Sequence, residues 1–299
     1  MRIVVTGGPD GQVLISLAER GVAAGHEIVP VGRPELDLAG DGDTIGRVIE
    51  QAKPDIVVSA AAYTAVDKAE SDRDLAFAIN GSGAGAVAKA AGRLGVPVIH
   101  LSTDYVFDGS KPTPYTEDDV PNPVSVYGAS KLAGEEEVLA ASRNAVILRT
   151  AWVYSPFNAN FVKTMLRLAG DRDEVGVVAD QRGNPTSALD IADAIVAVAA
   201  NLAGSDERGL RGIFHMTGQG EASWAEFAER IFTTSAAAGG PAANVMPIST
   251  AEYPTPARRP ANSRLDSSKL YQTHKVRLPD WRSSTDEVVR RLVEEGQSL

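Results

Sequence analysis

At 299 residues the chain exceeds an ordinary single domain, so one large or two closely joined domains with a substantial core are expected. A formal net charge of −10 with no basic stripe argues against a nucleic-acid groove or an anionic membrane as partner, and no apolar run approaches the length of a membrane span. The absence of cysteine excludes disulfides, a thiolate nucleophile and cysteine-held metal, and the scattered His26, His100, His215 and His274 have no carboxylate at ligand spacing, so no metal is expected.

The first residues are one Arg and then Ile3 to Val5, too short for a signal-peptide core and already strand-like, so the protein is expected to stay in the cytoplasm. RIVVT (2–6), EIVPV (27–31), DIVVSAA (55–61), VPVIHLS (96–102) and AVILRT (145–150) read as strands covered on both faces, as in a parallel sheet. Between them QVLISLAERG, DTIGRVIEQAK, DRDLAFAINGSGAGAVAKAAGRLG and SVYGASKLAGEEEVLAAS read as helices. This alternation predicts an α/β fold with a doubly wound, Rossmann-type sheet and right-handed crossovers.

After Thr150 the rhythm changes. NFVKTMLRLAG is a helix, EVGVVAD a short strand, SALDIADAIVAVAANLAG a helix and GIFHMTG a strand that can return to the sheet. A helix at SWAEFAERIFTTSAAAG, an irregular Pro-rich stretch MPISTAEYPTPARRPANSRLDSSKL and a closing helix from Ser284 follow. The expected division is residues 1–155 with about 186–218 as the dinucleotide-binding domain, and 156–185 with 219–299 as a smaller α/β substrate lobe.

Three features carry chemistry. In TGGPDGQVLISLAERG, Gly7, Gly8 and Gly11 stand where a strand hands over to a helix, and backbone N–H groups there can hold a pyrophosphate against the helix dipole. Leu14 occupies the place of the last glycine of G-x-x-G-x-x-G, which predicts a slightly displaced first helix. A plain βα turn is the bland alternative, because short glycine patterns recur widely. Arg33, after the second strand, suits the 2′-phosphate of NADP, although a solvated loop charge reads the same way. Asp37 and Leu38, and Ala61 and Ala62, lie at strand ends where adenine or ribose would rest.

The third feature is Tyr127 and Lys131, four apart on one helix face. A neighbouring ammonium would lower the phenol pKa from about 10 toward working pH. The preceding strand ends at Ser102 and Thr103, where open α/β sheets place ligands, so a Thr103 hydroxyl could bind the carbonyl oxygen that Tyr127 protonates. Hydride chemistry on a keto carbon, with the hydride supplied by a cofactor, fits these groups and needs neither metal nor thiol.

SAAAYTAVDKAES, HLSTDYVFDG, VYGASKLAGE, RTAWVYS, NFVKTMLRLA, DQRGNPTSA and YPTPARRPANSRLD together resemble the dTDP-4-dehydrorhamnose reductase family of the extended short-chain dehydrogenase/reductases, from the first strand to LPDW. The resemblance implies reduction of the 4-keto group of dTDP-4-dehydro-β-L-rhamnose with NADPH or NADH. It makes Tyr127 the proton donor, Lys131 its partner and ribose ligand, and Thr103 and Asp104 contacts around the carbonyl. Trp152 would line the sugar pocket. The implied cofactor contacts are Gly11, Gln12, Val13, Asp37, Leu38, Ala61, Ala62 and Tyr63 with Tyr127 and Lys131. Arg258, Arg259 and Asn262 are candidates for the nucleotide end, since guanidinium groups suit diphosphates.

The sequence departs from the family's G-x-x-G-Q-x-G loop by one extra residue, and Tyr63 stands where some members have His. Trp152 reads equally as a core aromatic, Asp67, Lys68 and Glu70 as a solvated helix start, Arg258 and Arg259 as surface charges, and His100 as a satisfied interior group. Another nucleotide-sugar reductase or epimerase, or a nucleotide-sensing regulatory subunit, are the alternative functions. A monomer or a homodimer fits the sequence equally.

Overall fold

The computed structural model describes residues 1–296. The first half alternates β1 (Arg2–Thr6), α1 (Gln12–Ala23), β2 (Glu27–Val31), α2 (Gly42–Gln51) and β3 (Ile56–Ser59), then α3 (Val66–Ala69), α4 (Arg73–Phe77), a π-helical turn at Ala78–Gly83 and α5 (Ala84–Leu94). β4 (Val98–Thr103), α6 (Val126–Ala141) and β5 (Ala145–Thr150) complete that run. The second half adds β6 (Val153–Tyr154), α7 (Phe161–Asp171), β7 (Glu174–Val178), β8 (Arg182–Gly183), β9 (Thr186–Ser187), α8 (Ala188–Gly204) and β10 (Gly212–His215). β11 (Ala222–Ser223), α9 (Trp224–Ala237), β12 (Asn244–Ile248), α10 (Ser268–His274) and α11 (Trp281–Glu294) close the chain.

Six strands form one parallel sheet in the order β2-β1-β3-β4-β5-β10, so the late strand does return to it. The period-2 geometry of a strand sorts its side chains: Ile3 and Val5 enter one core with Leu14, Leu17 and the α8 residues Ile191 and Ile195, while Val4 enters the other with Ile45, Ile49 and Val87. β2 is the exception to the expected two-sided cover. It is an edge strand with no fully buried residue, and Pro30, which cannot donate to a ladder, is tolerated there. A third core of α7, α9, α11 and β7 side chains, including Leu166, Phe227, Val177 and Val289, lies apart from the sheet.

The Pro-rich stretch differs from the irregular reading. β12 pairs in parallel with β7, Val245 opposite Val175, and α10 forms one and a half to two turns at Ser268–His274. The closing helix starts at Trp281 rather than Ser284, because the Asp280 carboxylate caps it by accepting from the Arg282 N–H. Among the described residues no helix is long and apolar enough to cross a membrane.

The chain runs from β1 to β2 on one side and crosses back to β3 on the other. The crevice at such a switch point, outside the carboxyl ends of the strands, is where open α/β sheets bind ligands.

Candidate active site

A crevice of about 560 Å³ opens at that switch point, lined by Gly8, Gly11, Gln12, Val13, Arg33, Asp37, Leu38, Ala61, Ala62, Tyr127 and Lys131. Eleven sequence-selected residues from five separate stretches therefore meet in one place. Gly11 caps α1 with extended backbone and no side chain satisfies the helix's first N–H groups, which leaves them for an anion. Gly7 adopts φ +157°, and a Cβ on Gly32 would stand 2.2 Å from the Gly7 carbonyl oxygen, so the loop lies directly on the end of β2. The resulting cradle, with free donors and no bulk, fits a dinucleotide pyrophosphate. Leu14 is buried under it, with Cδ1 3.4 Å from where a Gly7 Cβ would be.

Two residues that sequence patterns do not flag close the cradle from above. Ser155 Oγ donates to Gln12 Oε1 at 2.7 Å, and Asn158, at φ +55°, donates its amide to the Asp10 carbonyl. Asn158 and Ala159 line the crevice themselves. Asn160 then caps α7 and also holds the Ser155 carbonyl at 2.9 Å, so this tight loop continues into the third core.

Tyr63 follows the lining residue Ala62, but its hydroxyl is turned to Asp72 at 2.9 Å. Its backbone is held by Asn80 in the π-helical turn, which accepts from the Tyr63 N–H at 2.8 Å and donates to its carbonyl at 3.1 Å. The same amide donates to Ser130 Oγ on α6 at 2.9 Å. Single π-turns recur at functional sites, and this one lets Asn80 tie the segment after β3 to α6.

At the end of β4, Thr103 Oγ1 donates to Asp104 Oδ1 at 2.9 Å and accepts from the Tyr105 N–H at 3.2 Å. Burial pushes the Tyr127 phenol up to about 12, with the neighbouring Thr103 hydroxyl opposing the rise and the Asp104 charge adding to it. The expected lowering by Lys131 is not present. Lys131 Nζ is anchored to the Leu101 carbonyl at 2.7 Å and to His100 Nε2 at 3.2 Å, so its charge is directed to β4 rather than to the phenol. Burial lowers the Lys131 ammonium to about 8, against the charge of Glu135. His100 is therefore more than an interior polar group. Burial and the Lys131 charge keep its imidazole well below its usual pKa, hence neutral and able to accept.

Asp104 is buried, its carboxyl pushed up to about 6 by desolvation, and its Oδ2 has no hydrogen-bond partner. Behind this strand end lies a second ionic layer. Glu135 on α6 accepts from Arg149 Nε at 2.9 Å and Nη2 at 2.6 Å, and from Ser102 Oγ at 2.5 Å, with both charged groups about 1% exposed.

The remaining selected residues lie outside the crevice. Trp152 stacks on Trp224 with centroids 3.6 Å apart and planes 8° apart, and its indole lies so close to Gly183 that a Cβ there would stand 2.4 Å from it. It holds a left-handed backbone, φ +48°, which is uncommon for a bulky residue. Arg259 donates to Asp67 Oδ2 at 2.8 Å, and Asp67 Oδ1 accepts from the Ala257 N–H at 3.1 Å. Asp67 is thus no merely solvated helix start, since it ties the Pro-rich stretch to α3. Both charges act on Tyr105, whose ring meets Tyr127 edge-on at 5.5 Å. Arg258 is exposed. Asn262 has both amide hydrogens committed, to the Lys111 carbonyl at 2.5 Å and the Thr113 carbonyl at 2.9 Å, so it clamps this segment and has no donor left.

The fold and this site define an oxidoreductase of the nicotinamide-dependent, Rossmann-type reductase class. The RmlD substrate binding domain family model matches residues 1–294. The chain is 54% identical to a dTDP-4-dehydrorhamnose reductase of Sinorhizobium fredii over 99% of both chains, and 40% identical to that of Escherichia coli over 95% of this chain and 96% of the other. A dTDP-4-dehydrorhamnose reductase crystal structure from Clostridium acetobutylicum superimposes with a TM-score of 0.90 at 37% identity, covering 98% of this chain and 99% of that one. One from Bacillus anthracis, in complex with NADP, gives 0.88 at 36% identity, covering 96% and 98%. The chain belongs to the dTDP-4-dehydrorhamnose reductase family.

Proposed function

We propose that this chain reduces the 4-keto group of dTDP-4-dehydro-β-L-rhamnose to give dTDP-β-L-rhamnose, with NADPH as cofactor and NADH as a possible substitute. The observation that carries this reading is the meeting of the Tyr127 phenol, the Thr103 hydroxyl and the Lys131 ammonium at the end of β4, beside a glycine cradle with free helix N–H groups. When bound, NADPH supplies the hydride. The residues do the rest. Tyr127, fully protonated at neutral pH, gives its proton to the carbonyl oxygen as negative charge develops there, and Thr103 offers that oxygen a second hydrogen bond. Lys131 uses two N–H groups on Leu101 and His100 and keeps the third for the cofactor ribose.

The nucleotide end of the substrate would meet Arg259 and Arg258. The Arg259–Asp67 pair is 29% and 38% exposed on its two side chains, and such pairs contribute only about 0–1 kcal/mol, so a diphosphate can draw Arg259 away at little cost. Separate cores for the sheet and for the α7, α9 and α11 layer support a cofactor domain and a substrate lobe, but Leu270, Val276 and Leu278 pack into a sheet core and Tyr154 and Leu189 into the other layer, so the cores do not follow the boundaries given above throughout.

The direct test is NADPH oxidation with dTDP-4-dehydrorhamnose generated in situ, run beside GDP- and UDP-linked 4-keto sugars. Consumption only with the dTDP sugar is expected, and equal rates with all three would overturn the substrate assignment. Arg33 is exposed at the rim of the crevice, at the end of β2, where a 2′-phosphate would lie. Arg33→Ala is expected to raise KM for NADPH about tenfold, the loss of roughly one charge-assisted contact, with little change for NADH. Equal effects on the two cofactors would remove that role.

A further inference from the structure

The Glu135–Arg149 pair is the most deeply buried ionic group in the neighbourhood of the site, and the reaction as described does not use it. Taking two charges out of water is costly, and a pair of this kind is weak evidence for stability. Its placement points elsewhere. Glu135 is one helical turn beyond Lys131 on α6, and it accepts a hydrogen bond from Ser102 Oγ at 2.5 Å. Ser102 lines the crevice next to Thr103, so with its hydrogen committed it can present only lone pairs to a ligand.

We propose that Glu135 is a positioning residue for the reduction: clamped by Arg149, it fixes Ser102 as an acceptor at the end of β4 and holds a negative charge behind Lys131. Tyr127 and Glu135 lie one turn to either side of Lys131 on its own helix, His100 on β4 accepts from its ammonium, and Arg149 on β5 stands behind Glu135, while the Asp104 charge acts on Tyr127. His100 is neutral, Tyr127 is a protonated phenol, and Arg149 is paired with Glu135 through Nε and Nη2. Glu135 is thus the carboxylate that favours the charged form of Lys131, in opposition to burial, and that charge is what a ribose hydroxyl would meet.

The proposal rests on the nicotinamide reading above, and the test separates the two. NADPH affinity of the whole chain is followed by fluorescence from pH 6 to 10, without substrate. The wild type is expected to lose affinity as pH rises through about 8, where Lys131 gives up its proton. Removing a neighbouring negative charge makes the ammonium harder to hold, so in Glu135→Gln this loss should move to lower pH by about one unit. Glu135→Gln combined with Arg149→Met removes both buried charges at similar volume and serves if the single variant does not fold. Its limb should also move down, because Glu135 is the nearer of the two charges. A structural role alone would lower melting temperature without moving the limb. A wild type that binds no NADPH overturns the functional reading and this proposal with it. NADPH binding with the limb unmoved in a folded variant overturns the proposal alone.

Discussion

Tyr127→Phe is expected to keep NADPH binding and to lose turnover by roughly 100- to 10,000-fold, the range typical of a positioned proton donor. The change removes one oxygen from a ring otherwise held by its edge-on contact with Tyr105, so the site should keep its shape. Lys131 is anchored on Leu101 and His100, not on the phenol, and its bond to the cofactor should survive. With the phenol pushed up to about 12, the wild type has its proton throughout the neutral range. The deficit should therefore be the same at pH 6 and pH 8. A Phe variant that turns over at the wild-type rate would remove Tyr127 from the chemistry, and the measurement is single-turnover NADPH oxidation beside a cofactor-binding titration.

Gly128→Ala is expected to cost a comparable amount, at a residue that touches no ligand. α6 lies so close to the turn after β4 that a Cβ at 128 would stand 2.1 Å from the Tyr105 carbonyl oxygen and 3.1 Å from Pro123 Cβ. The first is rigid backbone, so the helix must move by about 1 Å, and it carries Tyr127 and Lys131 with it. Misplacement of that size costs about 100-fold in rate. Gly170→Ala on α7 is the control: nothing lies within 4 Å of the new methyl group, and activity should be unchanged. Wild-type turnover in a folded Gly128→Ala chain would show that the close approach does not set the geometry.

What the sequence made legible follows from local periodicity. β1, β3, β4 and β5 are β-branched runs buried on both faces, and Tyr127 and Lys131 share a face because four residues make about one helical turn. The two-residue strands β6, β8, β9 and β11 are too short to have a period. β12 contains Pro247 and half-exposed edge positions, so it reads as loop until β7 is beside it. In the site, the misread features all depend on partners far along the chain. Asp67 does stand in the first turn of α3, but it reads as merely solvated because its partner Arg259 lies 192 positions away. Lys131 was expected to act on the phenol four residues back, whereas its partners are on β4, 30 and 31 positions away. Asn262, a candidate for the nucleotide end beside Arg258 and Arg259, has its amide used up by a loop 149 and 151 positions earlier.

The loop with one residue too many has a consequence for anyone who would transplant it. Asp10, in the Pro9–Asp10 turn, is braced by Asn158, 148 positions later, and Gln12 by Ser155. The lost glycine and the added residue are thus answered by a tight turn elsewhere in the chain, held at φ +55°. Moved alone into another sheet, residues 7–14 would arrive as an unbraced flap. Moved together with residues 155–160, they keep those two braces but still need the end of β2, on which Gly7 rests, so shuffling experiments should exchange the two segments with that strand end.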